Sequence, residues 1–242
     1  MDTCDSRGSV AVLRDEAVLK VVVHESEEDY SIWLLPAVRE CLAGGGIRME
    51  DVEAYAVTAG PGSFTGVRVG LTTVKAWAEV YGKRIVAVSR LEALAGEAKD
   101  GTDYVAAFAN AQRGQVYGAV YQRNGTGPSA QTALVKLERL GEDAVLAPGK
   151  FIEEAAKFAG DGRITWISTD PECVLSDEGW KRREACGEKI ERVSNVRAPM
   201  IGRIGLRELA AGRSTDVLAL DANYVRRPDA EVFWKSGGAR GS

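Results

Sequence analysis

The sequence predicts a mixed α/β fold of two lobes, and three observations lead to this prediction. Between residues 53 and 80, a short apolar strand pattern runs into a glycine-rich turn and then into an amphipathic helix. The strand-before-helix order returns in the second half of the chain. Residues 98–103 between the halves are polar and turn-forming, so we expect one lobe over residues 1–102 and a smaller one over residues 103–242.

The first lobe is predicted to begin with two valine-rich strands and to continue as alternating helices and strands. A helix is expected over Asp29–Ala43, because its apolar residues recur every three or four positions and three glycines follow it. Pro36 is expected near its first turn or at a kink. The other predicted elements are strands at Gly8–Leu13, Ala17–Val23, Glu53–Thr58 and Arg84–Ser89, a helix over Thr65–Tyr81 ended by Gly82, and a short helix at Leu91–Ala98.

The second lobe is predicted to open with two strands joined by a tight turn at Gln112, Arg113 and Gly114. A loop is expected at Asn124–Ser129 and frayed chain at Ser236–Ser242. The remaining predicted elements are strands at Tyr104–Ala109, Gln115–Tyr121 and Arg163–Ile167, and helices at Phe151–Phe158 and Ile201–Ala211, the last ended by Gly212.

Composition excludes several classes of function. The net charge is −4 and the pI about 5.3, so the chain alone should bind RNA poorly. No apolar run approaches the roughly 20 residues of a membrane span, and Met1 leads into acidic residues rather than a leader peptide, so we expect a cytoplasmic protein. The four cysteines lie far apart and are expected to be reduced thiols.

The glycine-rich run is the strongest candidate for a functional site. It comprises Gly60, Gly62, Ser63, Thr65 and Gly66, and it enters a helix whose free N–H groups could cradle a phosphate. However, the run lacks the lysine of a Walker A loop, and its spacing differs from the dinucleotide fingerprint. A tight strand-to-helix turn is therefore at least an equal interpretation.

Other candidate residues have simpler explanations. Asp2 and Thr3 could hold magnesium and phosphate, although a turn or a loose terminus is favoured on pattern alone. His24 is the single histidine, so we expect it at a strand end or in a loop rather than in catalysis. Two further patterns could contact a nucleotide, yet a turn and a solvated basic pair explain them better: residues 160–162, and Arg226 with Arg227.

The segment from Thr58 to Leu71, TAGPGSFTGVRVGL, resembles the signature of the TsaB family of bacterial tRNA-modification proteins. The resemblance continues through residues 88–95, 113–117 and 224–231 and is weakest between Thr126 and Pro199. It implies an actin-like ATPase fold of two lobes whose active site has degenerated. The glycine run and the Asp2–Thr3 pair would then be remnants of phosphate loops, and the chain would have no catalytic residue, no metal and no cofactor of its own.

The resemblance also implies partners. A dimerization subunit of this family pairs with the catalytic TsaD subunit, which carries the metal, while the ATPase TsaE joins the pair and tRNA binds only to the complex. The product is threonylcarbamoyladenosine next to the anticodon of tRNAs reading codons that begin with A. A homodimer is plausible when the partner is absent. The two first-lobe helices would form an interface above about 1,200 Å², through Leu34, Leu35, Val38, Leu42, Val67, Leu71 and Val74.

Two positions depart from the family pattern. An apolar first strand normally precedes the Asp-Thr pair, whereas here Met1 directly precedes Asp2, as a displaced start or a truncation would produce; without that strand the first sheet would lose a member. Asn110 stands where the family often has aspartate, which weakens any catalytic role. The alternative functions are a small-molecule kinase of the same superfamily, holding ATP with Asp2, Thr3 and the glycine run, and a glycoprotease-like peptidase.

Overall fold

The computed structural model describes residues 1–124, 136–217 and 219–222. Strands and helices alternate along most of the chain, which confirms the predicted mixed α/β class. In chain order the elements are β1 (Ser9–Arg14), β2 (Ala17–Val23), α1 (Tyr30–Gly45), β3 (Ala54–Thr58), α2 (Phe64–Tyr81), β4 (Arg84–Val88), α3 (Arg90–Ala95), β5 (Tyr104–Asn110), β6 (Val116–Asn124), β7 (Lys136–Leu146), α4 (Pro148–Ala159), β8 (Ile164–Ser168), α5 (Glu172–Leu175), α6 (Glu178–Ala185), β9 (Ile190–Arg192) and α7 (Ala198–Ala210).

Glycines end the two long helices of the first half. α1 extends two residues beyond the predicted Ala43, because the left-handed turn comes only at Gly46, with φ of 68°. α2 ends at Gly82, with φ of 61°, as predicted. Pro36 lies inside α1, beyond its first turn.

The second half forms a five-stranded sheet in the order β7-β6-β5-β8-β9. The turn between β5 and β6 is the one predicted, with positive φ at Gln112, Arg113 and Gly114. On one face, Phe151 of α4 and Trp180 of α6 pack with Trp166 of the sheet, and on the other face α3 contributes to a second apolar cluster. β7 and β9 were not predicted, because they are edge strands with few buried positions and lack an apolar repeat.

The strands of the first half do not form one sheet. β1 pairs antiparallel with β2, β3 pairs parallel with β4, and among the described residues these are two separate two-stranded sheets. A cavity of about 580 Å³ lies between β1 and β3, and Met1 lines it. We call this cavity the slot. Whether the first sheet lacks a member stays a prediction.

α7 packs against strands of the first half, although it lies in the second half of the chain. Its residues Met200, Ile201 and Ile204 pack against Val86 and Val88 of β4. The predicted division at residues 102 and 103 lies between α3 and β5, but the α7 segment returns to the strands of the first half. Within the described ranges, no helix is both long and apolar enough to cross a membrane.

The amino group of Met1 should make stability depend on pH. Burial lowers its pKa from 8.0 to about 6, although Asp2, Cys41 and Cys4 nearby raise it. Between pH 6 and 8, the amino group therefore binds more protons in the unfolded chain than in the folded chain. The free energy of unfolding should rise with pH across this window by about 2–3 kcal/mol. Urea denaturation at a series of pH values measures the rise. An N-terminally acetylated chain is the control, and equal pH profiles for the two chains would contradict the prediction.

Candidate functional site

The glycine run connects β3 to α2 and is anchored at both ends. Ser63 is the N-cap of α2, and its hydroxyl accepts a hydrogen bond from the Gly66 amide at 3.3 Å. The Ser63 amide donates to the carbonyl oxygen of Cys4 at 2.8 Å. At the other end the Arg90 amide, at the start of α3, donates to the Gly60 carbonyl at 2.8 Å. The loop is thus a capped helix entrance tied to the N-terminal residues.

The glycines of this loop allow the chain at Thr3 and Cys4 to approach closely. A Cβ atom on Gly66 would lie 2.0 Å from the Thr3 carbonyl oxygen, and one on Gly62 would lie 2.2 Å from that of Cys4. At Gly70, one turn into α2, it would lie 2.4 Å from Thr3 Oγ1. Residues 3–4 therefore occupy the space next to the loop, and the geometry favours the packing interpretation. Ser63 and Thr65 are exposed, and their role in phosphate binding stays a prediction.

Asp2 and Thr3 are brought next to the glycine run, but both side chains bond within the protein. Asp2 is fully buried; its Oδ1 accepts from the Cys4 amide at 2.9 Å and from Thr58 Oγ1 at 2.8 Å. Thr3 Oγ1 donates to the Gly66 carbonyl at 2.7 Å. Asp2 Oδ2 has no hydrogen-bond partner in the structure. The pair therefore organises the turn that follows Met1. An aspartate side chain that accepts a hydrogen bond from the backbone amide two residues later is a common feature of turns.

Sequence reasoning missed an ion pair beside this turn. The guanidinium of Arg90, which is 5% exposed, contacts the carboxylate of Asp5, and the Tyr30 hydroxyl donates to the Asp5 carbonyl at 2.5 Å. Burial lowers the pKa of Arg90, but Asp5 and Asp2 more than offset this, so its pKa lies above the usual value. The available signal was an arginine in segment 88–95, where five of the eight residues are apolar.

His24 follows β2, at the strand end where it was predicted. Its ring nitrogens lie 3.1 Å from the Ser6 carbonyl and 2.8 Å from that of Glu28. The ring packs against Tyr30 and Trp33, with centroid distances of 4.7 and 4.9 Å. Its contacts are therefore those of a buried histidine that ties two loops together.

The predicted interface residues need correction. Of the seven, Leu34, Val38, Val67, Leu71 and Val74 are buried in the core, and Leu42 is half-buried. Only Leu35 is largely exposed, at 57%, and the neighbouring Ile32 is 59% exposed. Helical periodicity identifies the stripe that faces the protein's own core, so it selected buried side chains. The exposed apolar surface of α1 consists instead of Ile32 and Leu35, one turn apart, and whether a partner binds there stays a prediction.

The remaining candidates lie at turns or outside the described residues. Asn110 ends β5, and its side chain accepts from the Gln112 amide at 2.7 Å. Gly160 caps α4 with φ of 54°, and Gly162 packs on the Tyr104 ring, so residues 160–162 form a helix-to-strand turn. Arg226 and Arg227 lie outside the described residues.

Metal-binding groups do not gather in the part of the chain that the structure describes. Within it, no three His, Cys, Asp or Glu side chains lie close enough together to hold a metal ion. All four cysteines are free: Cys4 and Cys41 are buried, Cys173 is half-buried and Cys186 is exposed.

The fold is that of a mixed α/β protein, and comparison with known proteins gives its family. The family model described as "TsaD: tRNA N6-adenosine threonylcarbamoyltransferase" matches residues 20–197. Over 97% of its length the chain is 34% identical to proteins named tRNA threonylcarbamoyladenosine biosynthesis protein TsaB, from Bacillus subtilis and Escherichia coli, of which it covers 96% and 95%. The chain belongs to the TsaB family.

A solved structure agrees with this assignment. The chain superimposes with a TM-score of 0.71, at 26% identity, on a Pseudomonas aeruginosa protein described as uncharacterized with similarity to peptidase YEAZ. The match covers 93% of this chain and 97% of the other.

Proposed function

We propose that this chain is the non-catalytic partner subunit of the machinery that forms threonylcarbamoyladenosine on tRNA. The single observation that carries the proposal is the similarity over nearly the whole chain to proteins named for this biosynthesis. The small-molecule kinase and peptidase hypotheses are not favoured by those names. The match to a TsaD-type family model supports kinship with the transferase, and hence an actin-like fold.

The candidate site supports a role without transfer chemistry. In a working phosphate site, Asp2, Thr3 and the glycine run would be directed at a ligand. Here two hydrogen bonds to Asp2 Oδ1 come from the protein itself, and Thr3 bonds to the helix entrance. The backbone of residues 3–4 occupies the space beside Gly62 and Gly66. On this proposal, nucleotide and metal belong to the partner subunits.

The exposed apolar pair on α1 supports a protein partner. Ile32 and Leu35 are both more than half exposed and lie on one helical face, beside the charged Arg39. Apolar side chains in a polar surround are a common feature of interfaces. We propose that this face contacts the transferase subunit, that an ATPase subunit joins the pair in the cytoplasm, and that a homodimer can use the same face when the partner is absent.

Reconstitution of tRNA modification tests the proposal. The transferase and ATPase subunits from the same organism would be incubated with tRNA and threonylcarbamoyl-adenylate, with and without this chain, and modified nucleoside measured by mass spectrometry. We expect no modification without this chain and none from this chain alone. Modification by the isolated chain would contradict its non-catalytic role, and full modification in its absence would contradict its role as a subunit.

A further inference from the structure

His24 joins three segments at one corner of the first half. It is 4% exposed, and its backbone amide donates to the Gly8 carbonyl at 2.9 Å. One ring nitrogen, Nδ1, lies 3.1 Å from the Ser6 carbonyl oxygen in the segment before β1. The other, Nε2, lies 2.8 Å from the Glu28 carbonyl oxygen in the loop between β2 and α1. The ring therefore bridges the backbone of two loops.

Both groups that the ring contacts are hydrogen-bond acceptors. A carbonyl oxygen has no proton to donate, so each contact requires a proton on the ring nitrogen that makes it. A neutral imidazole carries a proton on one nitrogen only, whereas the imidazolium carries one on each. In the neutral ring, one nitrogen lone pair would face a carbonyl lone pair at hydrogen-bond distance. The geometry around His24 therefore fits the imidazolium, and the neutral ring can keep only one of the two bonds.

The aromatic neighbours of His24 also favour a cation. The centroids of the Tyr30 and Trp33 rings lie 4.7 and 4.9 Å from that of the imidazole, and the Tyr30 plane is inclined to it by 33°. Cations within about 6 Å of an aromatic ring are attracted to its face. Because the ring is buried, water competes little with this attraction. The surroundings thus stabilise the charged form by contacts that neutral imidazole makes less well.

The start of α1 depends on this corner. Asp29 is the N-cap of α1, but its side chain makes no capping hydrogen bond. The amides of Ile32 and Trp33 donate to the Asp29 carbonyl at 2.9 and 3.0 Å, which are the first bonds of the helix. The residue before the cap, Glu28, is the one whose carbonyl His24 holds. The entry of the chain into α1 is therefore fixed by His24 rather than by the helix's own cap.

We propose that His24 is a proton-operated clamp on the start of α1. With a proton on each ring nitrogen, it ties the segment before β1 to the loop before α1. Loss of one proton to solvent breaks one of the two bonds and loosens the first turn of the helix. Histidine is the side chain that ordinarily changes charge between pH 5 and 8, which suits it to this role. The exposed Ile32 is thereby presented on a helix start whose order depends on one proton. The proposal does not depend on the proposed function.

The other ionisable groups on the segments packed against His24 do not account for such a response. They are Asp5, which pairs with Arg90, and Arg7 in the segment before β1, the four carboxylates of residues 25–29, and Tyr30. Carboxyl and guanidinium groups ordinarily titrate outside pH 5–8. Burial raises the pKa of Tyr30, so its hydroxyl keeps its proton in this range.

Nuclear magnetic resonance of the imidazole nitrogens tests the protonation state directly. His24 is the single histidine, so the tag-free chain labelled with ¹⁵N-histidine gives one pair of ring signals. At about pH 5.5 we expect both nitrogens of the folded chain to carry protons, each protected from exchange with water by its carbonyl partner. A ring with one bare nitrogen at this pH would overturn the proposal.

Hydrogen exchange at the start of α1 tests the clamp. Protection factors, from which the intrinsic pH dependence of exchange is removed, should fall about fivefold at the Ile32 and Trp33 amides between about pH 5.5 and pH 8, the ratio that one hydrogen bond represents. The Val74 amide in α2 is the control and should not lose protection. Deprotonation of the Met1 amino group is expected to stabilise the whole fold over the same range, so it cannot produce this fall.

Two variants assign the effect to the imidazole. His24→Phe keeps an aromatic ring beside Tyr30 and Trp33 but has no donor, so the protection of the Ile32 amide should be low at both pH values. His24→Gln keeps one donor and does not titrate, so its protection should not change with pH; it also serves if His24→Phe fails to fold. Equal protection in the parent chain at both pH values would overturn the proposal. A fall that persists in His24→Gln would do so too, since another group would then operate the helix start.

Discussion

Replacement of Gly66 by alanine is expected to destabilise the protein by roughly 3 kcal/mol or more. The new Cβ would lie 2.0 Å from the Thr3 carbonyl oxygen, and a backbone atom cannot rotate away. Relief requires the N-terminal residues to separate from α2, which breaks the bond from Thr3 Oγ1 to the Gly66 carbonyl. Urea denaturation followed by circular dichroism measures the loss.

Further variants distinguish close packing from a general effect of replacing glycine. Gly101 has open space around its Cβ position, so Gly101→Ala should change stability by less than about 0.5 kcal/mol. At Gly70 the obstructing atom is the side-chain oxygen of Thr3, at 2.4 Å. Thr3→Ala should therefore partly rescue Gly70→Ala but not Gly66→Ala. If Gly66→Ala is as stable as the parent chain, the packing interpretation is wrong and a role for the glycines in ligand binding regains support.

Charges on the exposed face of α1 should abolish partner binding without unfolding the chain. In the double variant Ile32→Asp/Leu35→Asp, two side chains that are 59% and 57% exposed become acidic. The folded chain should tolerate them, whereas a desolvated interface would bury two unpaired carboxylates. We expect affinity for the transferase subunit to fall about 100-fold or more, measured by isothermal titration calorimetry.

Matched controls separate a loss of partner binding from a loss of folding. Phe158→Asp/Leu175→Asp adds the same charge at apolar positions of α4 and α5 that are 45% and 44% exposed, and it should bind like the parent chain. Leu34→Asp should unfold the protein, since Leu34 is 1% exposed. Unchanged affinity of the Ile32/Leu35 variant would exclude this face as the binding surface.

Local pattern determined most of the secondary structure. The strands β1 and β2, the helix α2 with its end at Gly82, and the turn at residues 112–114 follow from valine content, helical spacing and glycine positions, which are properties of neighbouring residues. The glycine run was also found from sequence, together with its alternative interpretation as a tight turn. Its chemistry was undecided, because a phosphate cradle and a close backbone approach both require glycine.

Tertiary structure alone decided which side chains face inward and which distant segments meet. A helical stripe reveals that a face is apolar but not what covers it, so Leu34 and Val38 were assigned to a partner although they pack on β1. The contact of Arg90 with Asp5, the return of α7 to β4 and the slot at Met1 each join residues far apart in sequence. By itself, the sequence determined most of the elements and the family resemblance. The core, the slot and the exposed pair on α1 depend on long-range packing, which no local pattern encodes.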